Sequence, residues 1–203
     1  MRITVFTQAG GEGKSTISLN LLYTLKEAGI PDVKIVTNEQ SHGLKNLLSP
    51  DEFIVIPERG AKLPPLPDGG VLIFDFAGKT DERIKQAVTM SRHVLVPTKG
   101  ESNNKIEQFT ATVDDLSDFT DKITIVISEF KKAKKSRLLT QAQDYLLKYP
   151  TYPIKESEAF RNLWEEGRSV RAMCEDGGLN LRNYNEANTM FNNLVKHLFK
   201  KEG

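Results

Sequence analysis

Short apolar runs alternate along this chain with stretches in which apolar residues return every three or four positions. Arg2–Thr7, Val33–Thr37, Val71–Asp75, His93–Pro97 and Ile123–Ser128 are continuous, β-branched-rich runs that predict buried strands. Asp51–Ile56 holds a further short one. Between them, residues 14–28 carry Ile17, Leu21, Leu22, Leu25 and Ala28 at helical spacing, and Gly29 and Pro31 stop the helix. Further helices are expected near 81–90, 103–116, 134–148, 158–166 and 186–200. Pro57, Pro64, Pro65, Pro67, Gly69 and Gly70 make residues 57–70 a loop, and Pro150 and Pro153 mark another. Strands that are apolar throughout and alternate with helices predict an α/β fold. Its sheet is doubly wound and mainly parallel, with helices on both faces and one domain spanning residues 1–203.

Composition narrows the classes of function. The 203 residues carry 28 basic and 27 acidic side chains, a formal charge of +1, which excludes a polybasic binder and confines any nucleic-acid contact to local patches. One cysteine, Cys174, leaves neither a disulfide framework nor a thiolate metal cage. No apolar run has the length of a membrane-crossing helix, and the N-terminus runs directly into a strand, so a cytoplasmic protein is expected.

The chemistry concentrates in Gly10–Thr16 (GGEGKST), set between the first strand and the first helix. Glycines let backbone N–H groups turn inward around phosphate, and the helix N-terminus adds partial positive charge. Gly10, Gly11, Glu12, Gly13, Lys14, Ser15 and Thr16 are therefore the expected cradle. Lys14 reaches the β- and γ-phosphates and Ser15 holds Mg²⁺. The strict G-x-x-x-x-G-K-[ST] pattern would need glycine at position 8, where Gln8 stands.

From Ala9 to Thr16, A-G-G-E-G-K-S-T resembles the deviant Walker A motif K-G-G-x-G-K-[ST]-[ST] of the ParA/MinD partition and positioning ATPases. The departure is Ala9, where that family has a signature lysine reaching across an ATP-sandwiched dimer. Lys131, Lys132, Lys134 and Lys135 are candidate replacements. The resemblance implies a P-loop ATPase using ATP and Mg²⁺, an ATP-state homodimer, and a stimulating ParB-like adaptor protein. Thr37-Asn38-Glu39-Gln40-Ser41 stands where the family reads D-x-D-P-Q, so Glu39 either places the attacking water or is an exposed loop glutamate. Asp75, ending the VLIFD strand, faces the crevice of such a sheet and would hold Mg²⁺ with Ser15. Asp75-Phe-Ala-Gly78 is similar to the family's D-x-x-G switch segment, and Thr80 or Asp81 is left to cap the next helix. Lys14, Glu39 and Asp75 are the catalytic set. Pro97, Thr98 and Phe130, with the segment after Ile127, are candidates for contact with the base or ribose.

Lys131–Arg137 (KKAKKSR) has five basic residues in seven. With Arg161, Arg168 and Arg171 it forms a candidate surface for non-specific DNA; the alternative is a solvated helix start. The last helix, with Met190, Phe191, Leu194, Val195, Leu198 and Phe199 flanked by lysines, reads as a helix docked on the core rather than a membrane anchor. The expected function is an ATP-dependent dimerising switch that positions a plasmid or protein cargo. Nucleoid association would follow from DNA binding. The rival classes are a membrane-positioning ATPase and a small-molecule P-loop ligase or kinase. An iron–sulfur carrier is disfavoured by the lone cysteine.

Overall fold

The computed structural model describes residues 1–39, 43–58, 60, 62–130, 140–176 and 181–200. The apolar runs become strands β1 (Arg2–Phe6), β2 (Val33–Thr37), β3 (Phe53–Val55), β4 (Val71–Phe76), β5 (His93–Thr98) and β6 (Ile123–Phe130), joined by β7 (Thr151–Lys155). All described strand pairs are parallel, in the order β3-β2-β4-β1-β5-β6-β7. The sheet is thus wholly rather than mainly parallel among the described residues. The helices are α1 (Lys14–Glu27), α2 (Glu82–Met90), α3 (Asn103–Ser117), α4 (Gln143–Lys148), α5 (Ala159–Glu166), α6 (Val170–Glu175) and α7 (Leu181–Leu198).

Two apolar cores follow from strands buried on both faces. One packs α1 with Leu163, Val170, Met173, Phe191, Leu194 and Leu198 of α5, α6 and α7. The other joins Phe74, Phe76 and Val96 to Ile84 and Val88 of α2 and to Ile106, Phe109 and Val113 of α3. Each large side chain taken fully out of water contributes roughly 1.5–3 kcal/mol. Among the polar groups buried with them, Asn20 Oδ1 on α1 accepts from the Val170 N–H at 2.9 Å, seating α6 on α1. Asp81 caps α2, accepting from the Arg83 and Ile84 N–H groups at 3.0 and 3.3 Å.

Three expectations change. Residues 150–153 are not a loop: Thr151–Lys155 is a strand at the sheet edge, where proline's missing N–H is tolerated. The last helix begins at Leu181, five residues earlier than its apolar spacing indicates, and α6 was not foreseen. Of the expected lysine-rich helix, the part described as α4 is Gln143–Lys148; residues 131–139 lie outside the described residues.

The chain leaves β1 through α1 to β2, two places away, then returns to β4 beside β1 and continues through β5 on the other side. The order therefore reverses at β1 and β4. In a doubly wound sheet, the crevice beyond the carboxyl ends of those strands is where ligands bind. The glycine loop follows β1, and Asp75 lies near the end of β4.

Candidate nucleotide-binding site

The loop between β1 and α1 turns on two glycines in the left-handed region, Gly11 at φ 77° and Gly13 at φ 90°. Gly13 is also crowded: a Cβ there would lie 3.2 Å from Ser128 Oγ, which would have to give way. The loop borders a cleft of about 510 Å³ lined by Gln8, residues 10–16, Glu39, Ala77, Gly78, Lys99 and Glu129. All seven residues of the expected cradle, with Glu39, thus share one cavity.

Lys14 sits over the loop and donates from Nζ to the Ala9 carbonyl at 3.2 Å. Burial lowers its pKa from the ordinary lysine value. The carboxylates of Asp75, Glu39 and Glu12 oppose that shift, and the charge of Lys105 adds to it. This cation therefore feels both carboxylates expected to serve catalysis. Asp75 is 2% exposed, in register with Thr37 on one side and Val5 on the other. Its carboxylate and the Ser15 hydroxyl are hard oxygen donors of the kind Mg²⁺ prefers, so the residues present fit that ion.

The segment after Asp75 is tied to β2. The Asn38 side-chain amide donates to the Ala77 carbonyl at 2.9 Å and accepts from the Ala77 N–H at 3.0 Å. This two-way bond couples the Glu39 segment to the loop carrying Gly78, which turns at φ 88°. Gln8 anchors the other side of the loop: its N–H donates to Thr112 Oγ1 at 3.2 Å and its side-chain amide to Asp115 at 2.5 Å, both on α3. The residue that breaks the strict motif is used here as a strut.

A second cavity, about 220 Å³, adjoins the first across Gly13, Thr16 and Glu129. It is further lined by Ile17, Ser128, Ile154 to Ser157, Phe160, Arg161 and Trp164. The Trp164 indole N–H donates to Thr16 Oγ1 at 3.4 Å, and Ser128 Oγ is buried without a hydrogen-bond partner among the described residues. Glu129, on the ridge between the cavities, has φ 49°, at a point where the β6–β7 register shifts. A non-glycine residue there stores roughly 1–3 kcal/mol of strain. Its carboxylate meets Lys99 Nζ at 2.6 Å.

Several expectations meet the structure less directly. Pro97 and Thr98 end β5 but line neither cavity; the Thr98 hydroxyl accepts from the Gly100 N–H at 3.3 Å. The Phe130 side chain lies outside the described residues, as do Lys131, Lys132, Lys134, Lys135 and Arg137. Arg161 lines the second cavity. Arg168 is paired with Glu166 and Asp176, and Arg171 with Glu175 at 2.8 Å, so these two do not form an open cationic surface. Of the segment after Ile127, Ser128 and Glu129 line the second cavity, while Lys99, Lys105 and Trp164 were missed as parts of the site because packing brings them there without a local motif. No described helix is long and apolar enough to cross a membrane.

The fold and this loop define a P-loop NTPase-type sheet. No family model matches the chain, and no curated protein matches its sequence. Solved structures do. McdA of Cyanothece without ligand superposes with a TM-score of 0.68 over 93% of this chain and 98% of its own, at 13% identity. MinD of Aquifex aeolicus gives 0.64 over 100% and 98%, at 13% identity. A ParA family ATPase of Chlorobium tepidum gives 0.58 over 96% and 97%, at 14% identity. The chain has the fold of the ParA/MinD ATPases, over its whole length.

Proposed function

We propose that this protein is a nucleotide-operated switch ATPase of the ParA/MinD type that positions a cargo inside the cell. The observation that carries the reading is a pair of adjoining cavities: a glycine-loop cleft with a lysine above it and, sharing Gly13, Thr16 and Glu129 with it, a smaller, partly apolar cavity beside the same loop. A triphosphate fits the first and a base the second. In this reading Gly10–Thr16 wrap the phosphates, Lys14 neutralises charge on the transferring phosphoryl group, and Glu39 orients the attacking water. Ser15 and Asp75 hold Mg²⁺, which supplies charge neutralisation on the phosphates. Ser128, unpartnered at the wall of the smaller cavity, offers a hydrogen bond to the base. Pro97 and Thr98, which line neither cavity, are not assigned a contact with the base.

The Asn38–Ala77 bond gives the switch a route. A ligand that displaces Gly78 also moves the end of β2, so the surface around both depends on the nucleotide. That surface is assigned to an ATP-state homodimer and an adaptor protein. Non-specific DNA is the partner suggested by Lys131, Lys132, Lys134, Lys135 and Arg137, with Arg161 contributing less because it faces the cavity.

Fluorescence anisotropy of a random-sequence duplex, in ATP–Mg²⁺ and ADP–Mg²⁺ at two salt concentrations, tests this. Binding in ATP alone that weakens steeply with salt is the expected result. Rapid ATP turnover that needs an added small molecule, with no DNA or self-association, would instead mark a small-molecule ligase or kinase.

A further inference from the structure

Glu12 is an anomaly in a loop that should attract anions. Its side chain is 2% exposed, within the run of backbone that would wrap phosphate. A buried carboxylate there repels the ligand and is costly unless neutralised. Two groups answer it: the Lys99 N–H donates to Oε2 at 2.6 Å, and Lys105 Nζ lies 3.0 Å from Oε1. Lys105 also donates to the Gly10 carbonyl. Its position is fixed from below, since its own N–H donates to the Ser102 hydroxyl that caps α3, at 3.3 Å.

Among the described residues, Lys14, Lys99, Glu12, Glu39 and Glu129 line the cleft; Lys105 reaches it through its contacts with Glu12 and Gly10, and the Asp75 carboxylate acts on Lys14 from behind it. Lys99 is committed to Glu129. A triphosphate entering this balance needs a second cation, and Ala9, 1% exposed and without a polar atom in its side chain, provides none. Lys105 is close enough for its charge to act on Lys14. An ammonium has three donors. Gly10 takes one, Glu12 adds an ion-pair contact, and 30% of the Lys105 side chain remains exposed.

We propose that Lys105, held at the loop by Glu12 and Gly10, is the second phosphate-binding cation of this site, contacting the terminal phosphate of the nucleoside triphosphate bound in the same cleft. It thereby supplies a charge that position 9 does not; the Gly10 carbonyl holds it in place, and the Glu12 carboxylate offsets part of its charge. The inference rests on the ATPase reading above.

The test uses the full chain, whose one tryptophan, Trp164, reports on occupation of the neighbouring cavity. Mg²⁺–ATP and Mg²⁺–ADP are titrated against wild type, Lys105→Met, Glu12→Gln, the double variant and Lys14→Ala. Lys105→Met should weaken ATP by about tenfold or more and leave ADP nearly unchanged. Glu12→Gln, which keeps an acceptor for the Lys99 N–H but removes the opposing charge, should tighten ATP more than ADP. The double variant buries no uncompensated charge, so it folds even where the single methionine variant does not, and should match the latter's loss of ATP preference. Equal weakening of ATP and ADP by Lys105→Met, or a Glu12→Gln variant that weakens ATP as Lys105→Met does, would reduce the pair to a structural clamp and overturn the proposal. An unchanged ATP preference in the double variant would do the same. If Lys14→Ala binds both nucleotides like wild type, the ATPase reading itself fails.

Discussion

The two cavities at the glycine loop are built in opposite ways. The phosphate cleft is built around one backbone loop: seven consecutive residues, two of them at positive φ, make up the greater part of its lining. The smaller cavity is mostly side chains from far apart in the chain, with Gly13 and Thr16 meeting Ser128, Ile154, Phe160 and Trp164. Backbone geometry needs particular residues in a particular order, so it leaves a motif. A cavity walled by side chains needs only suitable shapes brought together by the sheet, so it leaves none. The same contrast explains why the phosphate end of a ligand is easier to assign here than the base.

The comparison breaks most sharply at Lys14. Lys14→Ala should lower ATP turnover about 10²–10³-fold and weaken both ATP and inorganic tripolyphosphate, because a charge aimed at developing phosphoryl charge is lost. Calorimetric titration of both ligands checks this. A variant that loses ATP but retains tripolyphosphate would mean that Lys14 serves the smaller cavity and not the cleft.

Next comes Gly13, which belongs to both regions. Gly13→Ala places a Cβ at φ 90° and 3.2 Å from Ser128 Oγ. Strain of roughly 1–3 kcal/mol should lower Tm by about 2–10 °C in a chain of this size. ATP binding should fall with it, since either the loop or the Ser128 wall must shift. Thermal melts with and without ATP–Mg²⁺ read both effects; an unchanged Tm would show that the loop relaxes freely.

How far the site was legible follows from the same division. The strand–loop–helix order, the cradle of residues 10–16 and Asp75 at the end of an apolar strand were all readable, because each depends on local pattern and on where a parallel sheet opens. Glu39 was left between two readings, and its place at the cleft comes from the ends of β2 and β4 lying side by side. Lys105 and Trp164 were not readable as site residues. One lies 91 positions from Lys14 and the other 148 from Thr16, and only helix packing brings them in. Pro153 misled because a proline argues against a central strand, whereas β7 lies at the edge.

Trp164 sharpens the contrast from the other side. Trp164→Ala removes a wall of the smaller cavity and the bond to Thr16 Oγ1. It should weaken ATP and ADP by about tenfold while tripolyphosphate binding stays within about twofold of wild type, a reverse of the Lys14→Ala pattern. Calorimetry is needed because the variant carries no tryptophan. Equal losses for ATP and tripolyphosphate would mean that the indole supports the loop and not a base.

The smallest expected effect lies away from both cavities and separates global from local change. At the amino ends of the strands, His197 of α7 packs against Tyr152 and His93 with ring centroids 5.1 and 5.5 Å away, and its Nε2 lies 3.3 Å from the Thr124 hydroxyl. Burial, and then the charge of Lys200, lower its pKa from the ordinary 6.5. A histidine depressed in the folded state binds its proton more readily when unfolded, so the unfolded state gains protons first as the pH falls. The stability it contributes is present above about pH 6.5 and is lost as the pH drops below that value toward the folded pKa. Tm should therefore fall on acidification by no more than about 4 °C through this group, and His197→Gln should remove that part of the slope. The ratio of ATP to tripolyphosphate affinity, measured at the same two pH values, should be the same in His197→Gln as in wild type. A ratio that moves with the substitution would mean that α7 communicates with the nucleotide cavities through β6 and β7, joining the two regions that the other variants pull apart.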